Sequence, residues 1–247
     1  GSRVVCVDYH HPVVLAKELA TIDLLSDGRL EAGFGAGWVA SEYAAMGIPM
    51  DRPGVRIDRM IEVVEMSRRF FAGDDLDLDG KHVTARDMQA VPMSPQEGGP
   101  KIMIGGGSPR VLRVAGRLGD IVSLNFDNSA GKIGDHGIGS GTADGTVQKL
   151  EWIREGAGDR FEELEIEIGA YFTTVTDQTE ATTAGMAGAL NLDPEVLAIH
   201  PHTLIGSVDG ICEKLEQRRA ELGISYVTVG VSVMEDFAAV VEKMTGT

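Results

Sequence analysis

The chain has 247 residues, 43% of them apolar and 24% charged, and a net charge of −16. That length and composition fit one large α/β domain with a full core. The acidity argues against a general nucleic-acid binder, which needs a basic face for phosphates, and against docking on anionic lipid.

Residues 3–7 read as a strand at the very start of the chain. Pro12 to Leu25 follow as a helix, with Pro12 near its first turn and Asp27-Gly28 as its terminator. Residues 30–36 form the next strand, which runs into Gly33-Phe-Gly-Ala-Gly37 and Trp38. Ile57, Met60, Ile61, Val64 and Phe71 recur at helical spacing and predict an amphipathic helix over about residues 53–72. A loop-rich excursion over 73–99 carries Asp79-Gly80, a hairpin signal. Strand 101–104 leads into Gly105-Gly106-Gly107-Ser108, and a helix opens with Ser108 as N-cap and Pro109 at its first position. Strand 120–125, a Gly-, Ser- and Asp-rich loop over 127–146, a helix at about 146–157 and a strand at about 164–175 come next. Residues 177–200 read as short helices. Val208, Ile211, Leu215 and Leu222 mark a helix that Gly223 ends, before a strand at 226–229 and a last helix over about 234–244.

Strands alternating with helices imply a parallel sheet with right-handed crossovers. Six such strands are too few for a closed eight-stranded barrel, but they fit a barrel lacking its first two units; an open doubly wound sheet is the rival. Residues 1–247 read as a single domain. Cys6 and Cys212 have no CxxC or metal-ligand spacing and read as buried thiols in a reducing, cytoplasmic setting. No apolar run approaches the length of a membrane span.

The first glycine cluster has the spacing GxGxG rather than the dinucleotide fingerprint GxGxxG, and no ribose-binding acid follows soon at the end of another strand. Its glycines either pack the strand end tightly or admit a ligand close to the main chain. The second cluster is the stronger signal. A strand-to-helix junction exposes backbone N–H groups, which together with the helix dipole bind phosphate. Arg110 sits in the first helical turn, where a nearby anion would rationalise a cation; the alternative is a plain tight turn. Trp38 is either rim packing or one wall of a flat aromatic cofactor. The pair His10-His11, and His200 with His202, read as solvent-facing or hydrogen-bonded side chains. No HExxH, metal triad, GxSxG elbow or Cys–His pairing is present, so neither a metal nor a catalytic nucleophile is assigned.

The stretch HPVVLAKELATIDLLSDGRLEAGFGAGW, from His11 to Trp38, resembles the signature of the luciferase-like monooxygenase family. Pro53 to Arg59, Gly105 to Asp120, Leu204 to Asp209 and Leu222 to Thr228 are similar to the family in the same order. The details look most like the branch that uses the deazaflavin coenzyme F420 rather than FMN. The resemblance implies a (β/α)8 TIM barrel of bacterial-luciferase type, with residues 73–99 as an excursion. Residues 1–7 would be its third strand, and the first two units would be lacking from this chain. It implies cofactor binding by Ser2 and Arg3, where a bulged strand with a non-proline cis peptide is expected at Ser2–Arg3. It implies the same for Gly35, Gly37 and Trp38 at the end of the next strand, and for Gly105, Gly106, Gly107, Ser108 and Arg110 at a phosphate loop. Some relatives have an acidic residue where Trp38 stands. The implied activity is hydride transfer between F420 and a small organic substrate. An FMN-dependent monooxygenase is the alternative within enzymes, and a non-catalytic cofactor-binding or inert homologue the alternative outside them. The implied macromolecular partner is a second copy, as a homodimer.

Overall fold

A computed structural model describes residues 1–131 and 135–245. Strand β1 (Val5–Cys6) precedes helix α1 (Pro12–Leu25), strand β2 (Glu31–Gly35) and helices α2 (Ala40–Met46) and α3 (Pro53–Phe71). A hairpin of β3 (Leu76–Asp79) and β4 (Thr84–Met88) interrupts the alternation. Then come β5 (Lys101–Gly106), α4 (Pro109–Leu118), β6 (Ile121–Leu124), α5 (Asp135–Gly139) and α6 (Ala143–Ala157). The chain continues through β7 (Glu165–Ala170), β8 (Phe172–Val175), α7 (Thr179–Leu190), α8 (Pro194–Ala198) and β9 (Thr203–Gly206). It finishes with α9 (Val208–Leu222), β10 (Ile224–Val229) and α10 (Met234–Met244).

Six strands form one all-parallel sheet in the order β1-β2-β5-β6-β7-β10. The sheet curls. Strands β2 and β10 stand four positions apart, about 19 Å in a flat sheet at the usual ~4.8 Å spacing. Yet Tyr226 Oη on β10 donates to Glu31 Oε2 on β2 at 2.9 Å. The Arg3 side chain, just ahead of β1, likewise reaches Glu167 on β7 at 2.6 Å. Both bridges cross the concave side, so this is a barrel wall. It is not closed: β1 and β10 are its edges, and they do not pair with each other.

Period-two alternation separates the two faces. Phe34, Ile102, Ile104, Val122, Ile166 and Ile168 join one apolar core with Met60, Val63 and Val64 of α3, Leu112 of α4 and Ile153 of α6. Most inward positions are polar or lack a side chain: Glu31, Lys101, Ser123, Glu165, Glu167 and Thr228, with glycines at 33, 35, 105 and 169; Met103 and Ile121 are the buried apolar residues of the same face. A second cluster, including Leu204, Ile211, Phe237 and Val240, joins β9 to α9 and α10.

Local signals hold where chemistry is local. Helix α1 ends with Asp27 and Gly28 at φ 57° and 72°, the left-handed region. The hairpin loop is wider than a two-residue Asp79-Gly80 turn. Residues 80–83 span it, and Glu62 Oε2 accepts from the N–H groups of His82 and Val83. The buried Asp23 carboxylate takes Ser94 Oγ, Gln96 Nε2 and the N–H of Leu30, which ties the excursion to the start of β2. The predicted loop over 127–146 contains α5 and the first turn of α6; residues 132–134 lie outside the described residues. The single strand predicted at 164–175 is two, β7 and β8, because β8 leaves the main sheet to pair with β9.

Candidate active site

A cleft of about 520 Å³ opens where the C-terminal ends of β2, β5 and β6 meet the start of the chain. Parallel α/β folds place their ligands at this end of the strands. Arg3, Gly35, Gly37, Trp38, Gly105, Gly106, Gly107 and Ser108 all line it, so both glycine clusters face one space. Ser2 and Arg110 do not line it. The Ser2 carbonyl oxygen packs against Gly33, where a Cβ would stand 2.0 Å from it. The Arg110 guanidinium turns to α3, donating to Asp58 Oδ1 at 2.5 Å and to the carbonyl of Gly54 at 3.2 Å. The cis peptide expected at Ser2–Arg3 lies one bond later, at Arg3–Val4.

The glycines of the floor are filled from within. A Cβ at Gly35 would lie 2.6 Å from Val4 Cγ2, and one at Gly105 would lie 3.2 Å from Val4 Cγ1. A Cβ at Gly169 would lie 2.7 Å from Arg3 Nη2. Tight packing by this chain's own residues 3 and 4 therefore accounts for these positions. Gly37 is left-handed at φ 71° and abuts Tyr43 Oη and Cys6 Sγ. Gly106 abuts Val111 Cγ1, with 2.3 Å left for a Cβ, so a bulky residue there would disturb α4 as well as the cleft.

Ser108 holds the N-cap position of α4 but makes no side-chain capping bond, which leaves its hydroxyl to the cleft it lines. The opposite rim carries Tyr9, His10 and Glu42; Tyr9 Oη donates to Glu42 Oε2 at 3.2 Å. Behind it, Tyr43 Oη donates to Asp8 Oδ2 at 2.8 Å, and Arg59 Nη1 donates to Asp8 Oδ1 at 2.7 Å. Burial pushes the Cys6 thiol up, although its contact with Tyr43 pulls the other way. Burial, then the contacts to Cys6 and Asp8, push the Tyr43 phenol up. Cys6 and Tyr43 are thus both neutral near pH 7.

The Arg3 guanidinium is the most constrained group of the floor. Nε donates to Glu167 Oε1 at 2.6 Å and Nη1 to Tyr171 Oη at 3.0 Å. Burial opposes its charge, but Glu167 and Tyr171 outweigh it and the group is raised above the ordinary guanidinium value. Glu167 is fully buried, and its second oxygen has no hydrogen-bond partner among the described residues. An unpaired buried polar atom costs about 1–3 kcal/mol, more when charged. Sequence reasoning missed Glu167 and Thr228: single polar residues inside apolar strands give no motif.

Phe126 forms the far wall and packs on His202 at 4.6 Å between ring centroids. Of the two readings of His200 and His202, the hydrogen-bonded one holds: both are buried, with His200 Nε2 3.3 Å from the Ile138 carbonyl. Burial pushes His202 down to about 3, against the bond between Nδ1 and the Gly169 carbonyl at 2.7 Å. Lys149 Nζ donates to the carbonyl of Asn125 at 2.6 Å, and burial pushes it down to about 8 against the pull of Asp127. Among the described residues, no group of three His, Cys, Asp or Glu side chains could hold a metal, and no helix is long and apolar enough to cross a membrane.

A family model described as luciferase-like monooxygenase matches residues 1–184. The F420-dependent glucose-6-phosphate dehydrogenase of Nocardia farcinica is 37% identical over 113 residues, covering 45% of this chain and 33% of that protein. The matched stretch thus spans about a third of that curated relative's length. Among solved structures, the coenzyme F420-dependent tetrahydromethanopterin reductase from Methanopyrus kandleri superposes with a TM-score of 0.73 at 19% identity, over 97% of this chain and 79% of that one. EDTA monooxygenase from Chelativorans sp. BNC1 gives 0.74 at 15% identity, over 97% of this chain and 71% of that one. At such identities the likeness shows the fold, a luciferase-like barrel.

Proposed function

The chain belongs to the luciferase-like monooxygenase family, and from that premise we propose that it is an F420-dependent oxidoreductase acting on a small organic substrate. The observation that carries this reading is the convergence of both glycine-rich strand ends on one cleft. The resemblance of one stretch to F420-dependent dehydrogenases supports the choice of F420 over FMN. The residues present fit such a group. A cleft of about 520 Å³ is within the usual range for small-molecule sites. The N-terminal end of α4 with the unspent Ser108 hydroxyl suits a phosphate.

When bound, a deazaflavin supplies two-electron hydride chemistry with little reactivity toward oxygen. The chain's residues bind and orient it. Gly106, Gly107 and Ser108 receive the phosphate through main-chain N–H groups and a hydroxyl, with Arg110 bracing α4 against α3 through Asp58. Trp38 and the main chain at Gly35, Gly37 and Arg3 form the walls against the ring, and Ser2 supports the floor from below. Phe126 closes the far side against water. We read residues 1–247 as one domain of a cytoplasmic homodimer. The outward side of α1, with Val14, Ile22 and Leu25 between 50% and 80% exposed, is the face offered to a second copy.

The test is direct binding of F420 and of FMN, each alone, by fluorescence or calorimetry. Saturable F420 binding at least ten times tighter than FMN is expected. Preference for FMN, with turnover that consumes oxygen, would move the protein to the monooxygenase reading. Binding of neither would favour an inert homologue.

A further inference from the structure

Two guanidinium groups line the cleft, and they are held in different ways. Arg56 spends all three of its nitrogens on the main-chain carbonyls of Ala36, Asp51 and Gly37. Arg3 is fixed as a plane. It lies against Gly169, where a Cβ would stand 2.7–2.8 Å from Nη2, Cζ and Nη1 alike. Glu167 takes its Nε, and Thr228 Oγ1 donates to the same carboxylate oxygen at 2.5 Å. Tyr171 Oη accepts from Nη1 and donates its own hydrogen bond to Asn125 Oδ1 at 3.0 Å. The Leu124 carbonyl takes Nη2 at 3.5 Å. A guanidinium has five N–H donors; these bonds engage three. The side chain is 19% exposed and lines the cleft. A fixed planar fork with spare donors matches a carboxylate, and the entropy of ordering it is already met.

We propose that Arg3 is the anion-recognition residue on the floor of this cleft, that Glu167 is its positioning residue, and that the molecule taken there carries a carboxylate or an equally planar oxyanion. This rests on the reading of the cleft as the substrate site, and it is independent of which cofactor binds. Glu167 offsets part of the guanidinium charge, so it weakens simple attraction. What it supplies is orientation, through a single bond to Nε. Those two effects have opposite signs, which makes the role testable.

The probe is oxalate. The chain has two tryptophans. Trp38 lines the cleft and Trp152 packs against the helix core, so a Trp152→Phe background leaves Trp38 as reporter. Saturable quenching by oxalate is expected. Arg3→Gln should weaken it at least tenfold. Arg3→Lys, which keeps the charge but loses the fork, should lose most of the affinity as well, and it serves alone if Arg3→Gln does not fold. Glu167→Gln should weaken oxalate despite the added net positive charge, and narrow its preference over inorganic phosphate. Undiminished oxalate affinity in the Arg3 variants, or no saturable response in the parent, overturns the anion site. Tighter oxalate binding in Glu167→Gln overturns the positioning role. F420 titration of the same samples separates the two readings. F420 binding without an oxalate response sinks this proposal alone; an Arg3-dependent oxalate response without F420 binding sinks the cofactor assignment alone.

Discussion

Ser108 is the residue at which folding and binding can be pulled apart. It stands at the N-cap of α4 without capping it. Aspartate is among the best N-caps, typically worth about 1 kcal/mol over a residue that does not cap. Ser108→Asp should therefore keep or raise the melting temperature, while its negative charge repels a phosphate at the same place. Loss of F420 affinity by tenfold or more with an undiminished melting temperature is the expected pair of results. Gly106 suits this purpose poorly because Val111 already fills its surroundings. The buried imidazoles give a pH signature. His200 and His202 are both pushed down by burial, His202 to about 3. The unfolded chain then binds protons first as pH falls. The contribution of the two imidazoles is constant above about pH 6.5, their ordinary value, and declines from there toward pH 3. Urea midpoints at pH 7.5 and pH 5 should differ, and His202→Phe should shrink that difference while losing a fixed amount at both. Lys149, pushed down to about 8, works at the other end. Its buried charge is a penalty below pH 8 that disappears as pH rises toward 10.5, so stability gains over that window, and Lys149→Met should abolish the gain. The glycine clusters were legible in the sequence as close approaches. What approaches them at Gly35 and Gly105 was not, since Val4 carries no motif, and Gly169, against which Arg3 packs, stood outside both clusters.

Helices α4 and α6 meet backbone to backbone. A Cβ at Gly116 would stand 2.3 Å from the Ile153 carbonyl oxygen, and one at Gly156 would stand 2.0 Å from the Arg113 carbonyl oxygen. Backbone cannot yield as a flexible side chain can, so Gly156→Ala should destabilise the protein by about 2 kcal/mol through forced separation of the helices. Its favourable effect on helix propensity, roughly 1 kcal/mol, works in the opposite direction. A denaturation midpoint equal to the parent's would contradict this packing. Elements with their own caps and periodicity were legible: Pro12 and Gly28 bound α1, Pro53 opens α3, and Gly223 at φ 67° ends α9. Helix α2 was not, since its seven residues fall short of two full apolar repeats. The break between β7 and β8 was not legible either. The run from Glu165 to Val175 reads as one strand in sequence; it breaks at Tyr171, whose N–H turns back to the Gly169 carbonyl at 3.1 Å, and the partner changes there from β6 and β10 to β9.

At the scale of the whole molecule, the order of six parallel strands follows from the alternation of strand and helix, and the sequence signals supported it. The curl of the sheet rests on pairs of side chains that local patterns do not connect. Tyr226 with Glu31, and Arg3 with Glu167, brace the hollow side from opposite edges. These partners lie 195 and 164 positions apart along the chain. Closing loops of that length costs entropy that no early local contact repays. The bridges therefore form after the strands between them have stacked, on the native side of the folding barrier. Tyr226→Phe removes one such bond, worth about 1 kcal/mol. It should raise the unfolding rate roughly fivefold and leave the refolding rate almost unchanged. Stopped-flow kinetics in urea will read both arms. The last event in folding would then be the bending of an already assembled sheet, and the cleft at its strand ends would take its final shape only at that step.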